Sequence, residues 1–336
     1  MINLGVVGVG GWGRHLLRNF ASLPTCKVKT ACDLSEKIRK TISSTYPDIK
    51  VVSDFEEIVG DPDIDAVVIA TTPETHFKLS VMALKAGKDV FVEKPLVLKV
   101  EEGEELVKIA EGRSRVLMVG HIMVYHPAVL KVKELIDSGE LGEIYYLYAA
   151  RLNLGKVREI ENAMWSFAPH DISIVLYLLG KEPASVTSVA QAYLQKNTGI
   201  EDVSFTTLTF PDGQMANIHV SWLDPNKSRR LTVVGSKKMV VLDDTEASEK
   251  VRIYDKGVEL NHDFQTYGEY LSLRSGDIII PKIDSSEPLR NECMHFIDCV
   301  EKRKQPRSDG VEGLKVLRIL AAAQKSIDEG GVPQTI

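Results

Sequence analysis

The stretch Asn3-Leu4-Gly5-Val6-Val7-Gly8-Val9-Gly10-Gly11-Trp12-Gly13, followed by a helical run from His15 to Ser22, decides the fold. Asn3–Val9 is a near-continuous apolar strand. Gly8, Gly10 and Gly13 then form G-x-G-x-x-G between that strand and the helix, the context in which the pattern has a mechanism. Gly8 permits the tight turn, Gly10 lets the backbone approach a pyrophosphate, and Gly13 lets helix and strand pack closely. The pyrophosphate would rest on the helix N-terminus, where free N–H groups and the dipole favour an anion. Asp33 ends the next strand, where an acid hydrogen-bonds a ribose 2′-OH and repels a 2′-phosphate. The expected cofactor is therefore NAD rather than NADP. Gly11 and Trp12 complete the loop; Trp12 either packs on the cofactor or covers the sheet edge.

Working outward, strands at Lys27–Cys32, Lys50–Val52, Ala66–Ala70, Asp89–Val92 and Val116–Val119 alternate with helices at Glu36–Tyr46, Asp54–Val59, His76–Ala86 and Val100–Glu111. Such alternation predicts a doubly wound parallel sheet over residues 1–121. The pattern then changes. A helix is expected at Pro127–Ser138, a Tyr-rich strand at Glu143–Asn153 and a helix at Trp165–Leu179. Six strand-like runs follow between Ser185 and Tyr254, one pair joined by the turn Pro211-Asp212-Gly213. Residues 122–336 thus read as an α+β domain with a mostly antiparallel sheet. The helical ends, Leu289–Glu301 and Gly310–Glu329, are expected to pack back.

The 336 residues suit two domains at roughly 150 residues each. The apolar fraction of 44% supports two sizeable cores, and the net charge of −6 argues against a nucleic-acid partner. The four cysteines form no C-x-x-C pair and read as buried or half-buried thiols of a reducing compartment. The first apolar run is too short to span a bilayer, and no basic leader with a cleavage site precedes it. The expectation is a cytoplasmic protein with no membrane partner. No metal site is expected, because no ligand-spaced cluster is present.

Glu93-Lys94-Pro95 follows a strand, and ligands of parallel sheets bind beyond strand carboxyl ends. Lys94 would emerge where a nicotinamide ring could lie, and could donate to a substrate oxygen or move a proton. A cis Pro95 would fix the direction of that lysine. The run Thr72-Pro73-Glu74-Thr75-His76, then Ala86-Gly87-Lys88, then Glu93-Lys94-Pro95 resembles the glucose–fructose oxidoreductase/inositol dehydrogenase (Gfo/Idh/MocA) family. The resemblance continues through Gly120-His121, Tyr125-His126-Pro127-Ala128 and Gly235-Ser236. It closes with Glu292, Phe296, Pro306 and the helix from Gly310.

The resemblance implies a Rossmann domain joined to an α+β domain with an open-faced sheet, which often forms a homodimer or homotetramer. It also implies NAD(P)-dependent oxidation or reduction of a sugar or cyclitol, with Lys94 polarising the reacting oxygen. Thr71, Thr72, Pro73, His76, Glu93 and His121 would lie near the cofactor. His170, in Trp165-Ser166-Phe167-Ala168-Pro169-His170-Asp171, matches the family histidine, whereas the family aspartate is Ser166 here. His170 is thus the better acid/base candidate and Lys94 its rival. Asp171 reads either as a first-turn acid or as an orienter of His170. His126, Arg151, Asn153, Arg158, Asn162 and Trp165 are substrate candidates, since Asn and Arg suit sugar hydroxyls and carboxylates. His15, His219, His262 and His295 read as structural.

The wording Ala168-Pro169-His170-Asp171-Ile172 resembles the branch that oxidises C3 of nucleotide-linked amino sugars or their uronic acids. Alternatives are an inositol or free-sugar dehydrogenase, a keto-sugar reductase, and a non-catalytic dinucleotide-binding regulator resembling Gal80-type proteins.

Overall fold

In the computed structural model, which describes residues 1–155, 157–260 and 271–336, the chain divides into two units. The first unit is Met1–Tyr125 with Ser286–Arg318, and the second is His126–Ser285 with Ile319–Ile336. The segment 286–318 therefore belongs with the N-terminal unit. His262 lies outside the described residues.

The first unit runs β1 (Ile2–Val7), α1 (Gly13–Ala21), β2 (Cys26–Cys32), α2 (Glu36–Thr45), β3 (Lys50–Val52), α3 (Glu56–Val59), β4 (Ala66–Ile69), α4 (Pro73–Lys85), β5 (Asp89–Glu93), α5 (Val100–Gly112) and β6 (Leu117–Gly120). Its sheet is parallel, in the order β3-β2-β1-β4-β5-β6. That order reverses at β1/β4, where doubly wound sheets open a crevice for ligands. Every residue of β4 is fully buried, which is why it is apolar throughout. A single 3-10 turn, Ile122–Tyr125, ends the run.

The chain second passage through this unit completes its core. Phe296 packs edge-on against Phe20 and Phe91, with ring centroids 5.6 to 6.2 Å apart. Truncating such a ring to alanine costs about 3–5 kcal/mol. The Ser308 hydroxyl donates to the Val119 carbonyl at 2.7 Å, which ties the returning chain to β6.

The second unit begins with α6 (Pro127–Asp137), β7 (Ile144–Leu152) and α7 (Ala163–Leu179). Then come β8 (Ser185–Gln191), β9 (Val203–Thr209), β10 (Met215–Ser221), β11 (Ser228–Gly235), β12 (Met239–Asp243), β13 (Val251–Leu260) and β14 (Leu271–Ile279). After α8 (Pro288–Lys302) and α9 (Gly310–Asp328), the two-residue β15 (Gln334–Thr335) closes the chain. The sheet order is β14-β13-β12-β11-β7-β10-β9-β8-β15. All neighbours are antiparallel except β7 and β10, which are parallel. The sheet is thus mixed and mostly antiparallel. Leu147 and Ala149 of β7 are buried, whereas Tyr146 and Tyr148 are exposed, with Met215 beside Tyr146 on β10 and Phe205 exposed on β9 beyond it. Alternation of this kind leaves one sheet face open. Sequence reading missed β14 because its charged and polar centre lacks that alternation.

The four cysteines are free and buried. Among the described residues, no helix is long and apolar enough to cross a membrane.

Candidate active site

The glycine loop is built as its chemistry requires. Gly8 has φ +81°, and a Cβ there would lie 2.7 Å from the Ala70 and Thr71 backbone. A Cβ on Gly13 would run into the Gly8 carbonyl, so helix and turn meet only through glycine. At Gly10 a Cβ would stand 2.8 Å from Ile38 and 3.7 Å from Asp33 Oδ2. Around Gly11 nothing lies within 4 Å of that position. The loop is therefore a cradle whose glycine positions admit no side chain at Gly8 or Gly13, with the Asp33 carboxylate beside Gly10. Asp33 Oδ1 accepts the Ser35 N–H at 2.9 Å, which fixes the side chain. These features fit a dinucleotide, with Gly8, Gly10 and Gly13 shaping the cradle and Asp33 set for a ribose hydroxyl. Thr71, Thr72 and Pro73 form the neighbouring β4–α4 turn, where Thr71 and Thr75 hydroxyls bond at 2.6 Å. Pro73 sits in the first turn of α4, where its missing N–H costs nothing.

Lys94 follows β5, and the Lys94–Pro95 bond is cis. His76 is fully buried and placed to hold this turn, with Nδ1 2.8 Å from the Pro95 carbonyl and Nε2 3.2 Å from the Thr71 carbonyl. Burial lowers its pKa, so the neutral ring donates one proton, and the shorter contact is to Pro95. His76 thus braces the lysine turn against the β4–α4 turn. His121 is 2% exposed, and neither ring nitrogen has a hydrogen-bond partner among the described residues. Burial, reinforced by the Lys94 charge, pushes its pKa down to about 3 and keeps it neutral.

Glu93 turns its carboxyl group inward. Its Oε1 accepts the Trp12 indole N–H at 2.7 Å and its Oε2 the Lys94 backbone N–H at 3.1 Å. Burial raises its pKa to about 7 against the opposing pull of Lys94. Glu292 of α8 is fully buried with both carboxyl oxygens unpartnered, and burial plus the Glu93 charge raises its pKa well above the usual range. Sequence reading placed Glu292 only within a terminal helix. A signal was present: Leu289, Cys293, Phe296 and Val300 define a buried stripe that includes position 292.

In the second unit several substrate candidates are engaged by the fold. Arg151 is buried, and its Nε and Nη2 donate to both oxygens of Asp171 at 2.8 and 2.9 Å. Burial pulls its pKa down, but Asp171 outweighs this and the net shift is upward. Arg151, expected at a substrate rim, is thus held by Asp171 in this structure. Asp171 stands two turns into α7, whose first turn has no acid, so it is not a first-turn acid, and its carboxylate is bidentate to the Arg151 guanidinium.

Asn162 caps α7. Its Oδ1 accepts the Trp165 N–H at 2.9 Å, and its Nδ2 donates to Glu201 and Gln324, each at 2.9 Å. The Trp165 indole N–H donates to the same Gln324 oxygen at 3.1 Å. His126 caps α6 by accepting the Ala128 N–H on Nδ1 at 3.1 Å, and its Nε2 lies 3.1 Å from Asp244. Burial opposes the Asp244 charge, yet His126 and Lys250 hold that carboxyl below the usual range. Asn162 and His126 thus cap helices, and their remaining polar atoms and the Trp165 indole are bonded to side chains of the second unit.

Arg158 is exposed, with Glu161 3.5 Å away, and the Asn153 side chain is half-buried beside Gly155. His170 is half-buried in the second turn of α7, directly after Pro169. Pro169 cannot donate to the Trp165 carbonyl, so the helix ladder is interrupted just before the histidine. Ser166 is buried in the same helix. Of the remaining histidines, His15 tilts against Trp12, His219 stacks on Phe205 and His295 accepts the Arg307 N–H. Among the described residues, no group of three or more His, Cys, Asp or Glu could hold a metal ion.

Comparison with known proteins agrees with this geometry. The chain is 26% identical to the UDP-N-acetylglucosamine 3-dehydrogenase of Acidithiobacillus ferrooxidans, with 93% of each chain covered. It is 25% identical to the scyllo-inositol 2-dehydrogenase (NAD(+)) of Bacillus subtilis, covering 98% of this chain and 95% of that one. A crystal structure of a putative myo-inositol dehydrogenase from Sinorhizobium meliloti superposes with a TM-score of 0.83 at 25% identity, over 100% of both chains. Residues 2–121 match the model of the Gfo/Idh/MocA oxidoreductase family with its NAD-binding Rossmann fold, and residues 129–241 match that family C-terminal domain. The chain belongs to the Gfo/Idh/MocA family of NAD-binding oxidoreductases.

Proposed function

We propose that this oxidoreductase moves a hydride between NAD and a sugar carbon bearing a hydroxyl, at C3 of a nucleotide-linked amino sugar or its uronic acid. The observation that carries the reading is the placement of Lys94. It stands on the turn after β5, in the same unit as the glycine cradle, with its backbone N–H held by Glu93. Bound NAD supplies the hydride acceptor. Lys94 donates a hydrogen bond to the reacting oxygen and stabilises the negative charge that grows there. As the C–H hydride leaves, the hydroxyl proton passes to Lys94 in its amine form or to the His170 imidazole, and a carbonyl remains. An imidazole suits this task because it titrates near neutral pH. Asp33 accepts from the ribose hydroxyl and disfavours a 2′-phosphate. Arg158 and Asn153 are the preferred substrate-binding candidates, a choice supported by the exposure of Arg158 and the partial exposure of Asn153.

The uridine-sugar dehydrogenase among the relatives supports the nucleotide-sugar reading. The scyllo-inositol dehydrogenase supports a second one, a cyclitol or free sugar as substrate. A second copy of the chain would cover the open sheet face carrying Tyr146, Tyr148, Phe205 and Met215, giving a homodimer or homotetramer.

The test is a panel of UDP-amino sugars, their uronic acids, inositols and free sugars, followed by absorbance of reduced nicotinamide. Turnover is expected with the nucleotide sugars. Lys94→Ala should lower it about 10³-fold with NADH affinity nearly unchanged. Equal loss of turnover and NADH affinity would overturn the role given to Lys94. Tight NADH binding with no turnover on any substrate would instead favour a regulator.

A further inference from the structure

Glu93 is bonded on its two carboxyl oxygens to groups with different tasks. Oε1 holds the indole of Trp12, a residue of the glycine loop whose side chain stays substantially exposed. Oε2 holds the main chain of Lys94. Room for the carboxyl group is made by Gly120, where a Cβ would stand 3.0 Å from its carbon and both oxygens. We propose that Glu93 is a positioning residue whose carboxylate ties the glycine loop, through Trp12, to the main chain of Lys94. The cofactor-binding loop and the reacting lysine are thereby held in one register. This rests on the role proposed above for Lys94.

The arrangement depends on protonation. Both partners of the carboxyl group are N–H donors, so the anion is the form they hold best. A proton on either oxygen replaces an anionic acceptor with a hydroxyl. The groups facing Glu93 come from four elements. Lys94 on its own turn favours the anion, and Trp12 donates from the loop. Glu292 and Cys293 of α8 are kept neutral by burial, and so is His121 after β6. Burial of Glu93 opposes Lys94 and Trp12 and brings its titration to about 7. The tie is therefore complete above neutrality and weakens as pH falls through about 7.

The experiment uses the full chain without cofactor. The protein has three tryptophans, and the emission of Trp12 is the difference between wild type and Trp12→Phe. Because the His15 ring tilts against Trp12, every protein compared carries His15→Gln; the difference is then expected to change in one step near pH 7 in a titration from 5.5 to 8.5, and the step should vanish in Glu93→Gln. NADH affinity, read by calorimetry, should tighten roughly threefold to tenfold across the same step in wild type. It should be flat in Glu93→Gln and nearly flat in Trp12→Phe. Lys94→Ala should move the step to higher pH, because it removes the charge that favours the carboxylate. A wild-type emission that does not change with pH, or a step that survives in Glu93→Gln, overturns the proposal. Retained turnover in Lys94→Ala would sink the role of Lys94 while leaving the emission step intact, so the two failures are distinguishable.

Discussion

Lys94 and Arg151 are both basic residues at the carboxyl end of a strand, and the two strands treat them differently. Lys94 leaves β5, where a parallel sheet ends and its loops diverge. Arg151 lies inside β7, flanked by β10 and β11, and pairs with Val220 and Arg229. It shares parity with Leu147 and Ala149, so its side chain goes to the covered face beneath α7. There a lone guanidinium would be costly, and Asp171 neutralises it bidentately. A basic residue at a strand end is thus a candidate reactant only when its strand leaves it outside the sheet.

This contrast can be broken most directly at Arg151. Arg151→Ala strands the Asp171 carboxylate in an apolar setting and should cost about 3–5 kcal/mol, read by denaturant unfolding. Arg151→Met combined with Asp171→Leu should recover most of that loss. If Arg151→Ala left stability untouched and raised only the substrate KM, Arg151 would be a substrate ligand after all.

A smaller effect is expected at Asp33, at the end of β2. Asp33→Ala removes one charge-assisted hydrogen bond and a repulsion, so NAD should lose about 10- to 100-fold in affinity relative to NADP. Calorimetry with both cofactors measures the ratio. A wild-type protein that already prefers NADP would contradict the assignment.

The smallest effect is expected at the start of α7. Asn162→Ala removes the N-cap and should cost about 1 kcal/mol, seen as a lower thermal midpoint with little change in substrate KM. A large KM change at unaltered stability would return Asn162 to the substrate rim.

Much of the first unit was legible in the primary structure, for a local reason. The glycine loop, Asp33 and Lys94 each sit at a junction between neighbouring elements, and the chemistry of such junctions depends on adjacent residues. The second unit was legible in its elements but less so in its polar residues. Arg151 had the parity of a buried residue, yet its residue type suggested a ligand. Asn162 preceded an apolar helix, the place of an N-cap, and still read as a sugar contact. The parallel pairing of β7 with β10 had no local signal, since the two strands are far apart in sequence.

From the sequence alone came the dinucleotide loop, the acid at the end of β2 and the lysine after β5. These follow from residue type, spacing and the order of strands and helices. Tertiary structure alone decided that Glu93 joins Trp12 to Lys94, that Glu292 is a buried acid of the same unit, and that Arg151 belongs to Asp171. Each of these is a contact between residues whose meeting depends on how strands align and which side chains are removed from water. Desolvation and long-range pairing are properties of the packed chain, and no local pattern encodes them.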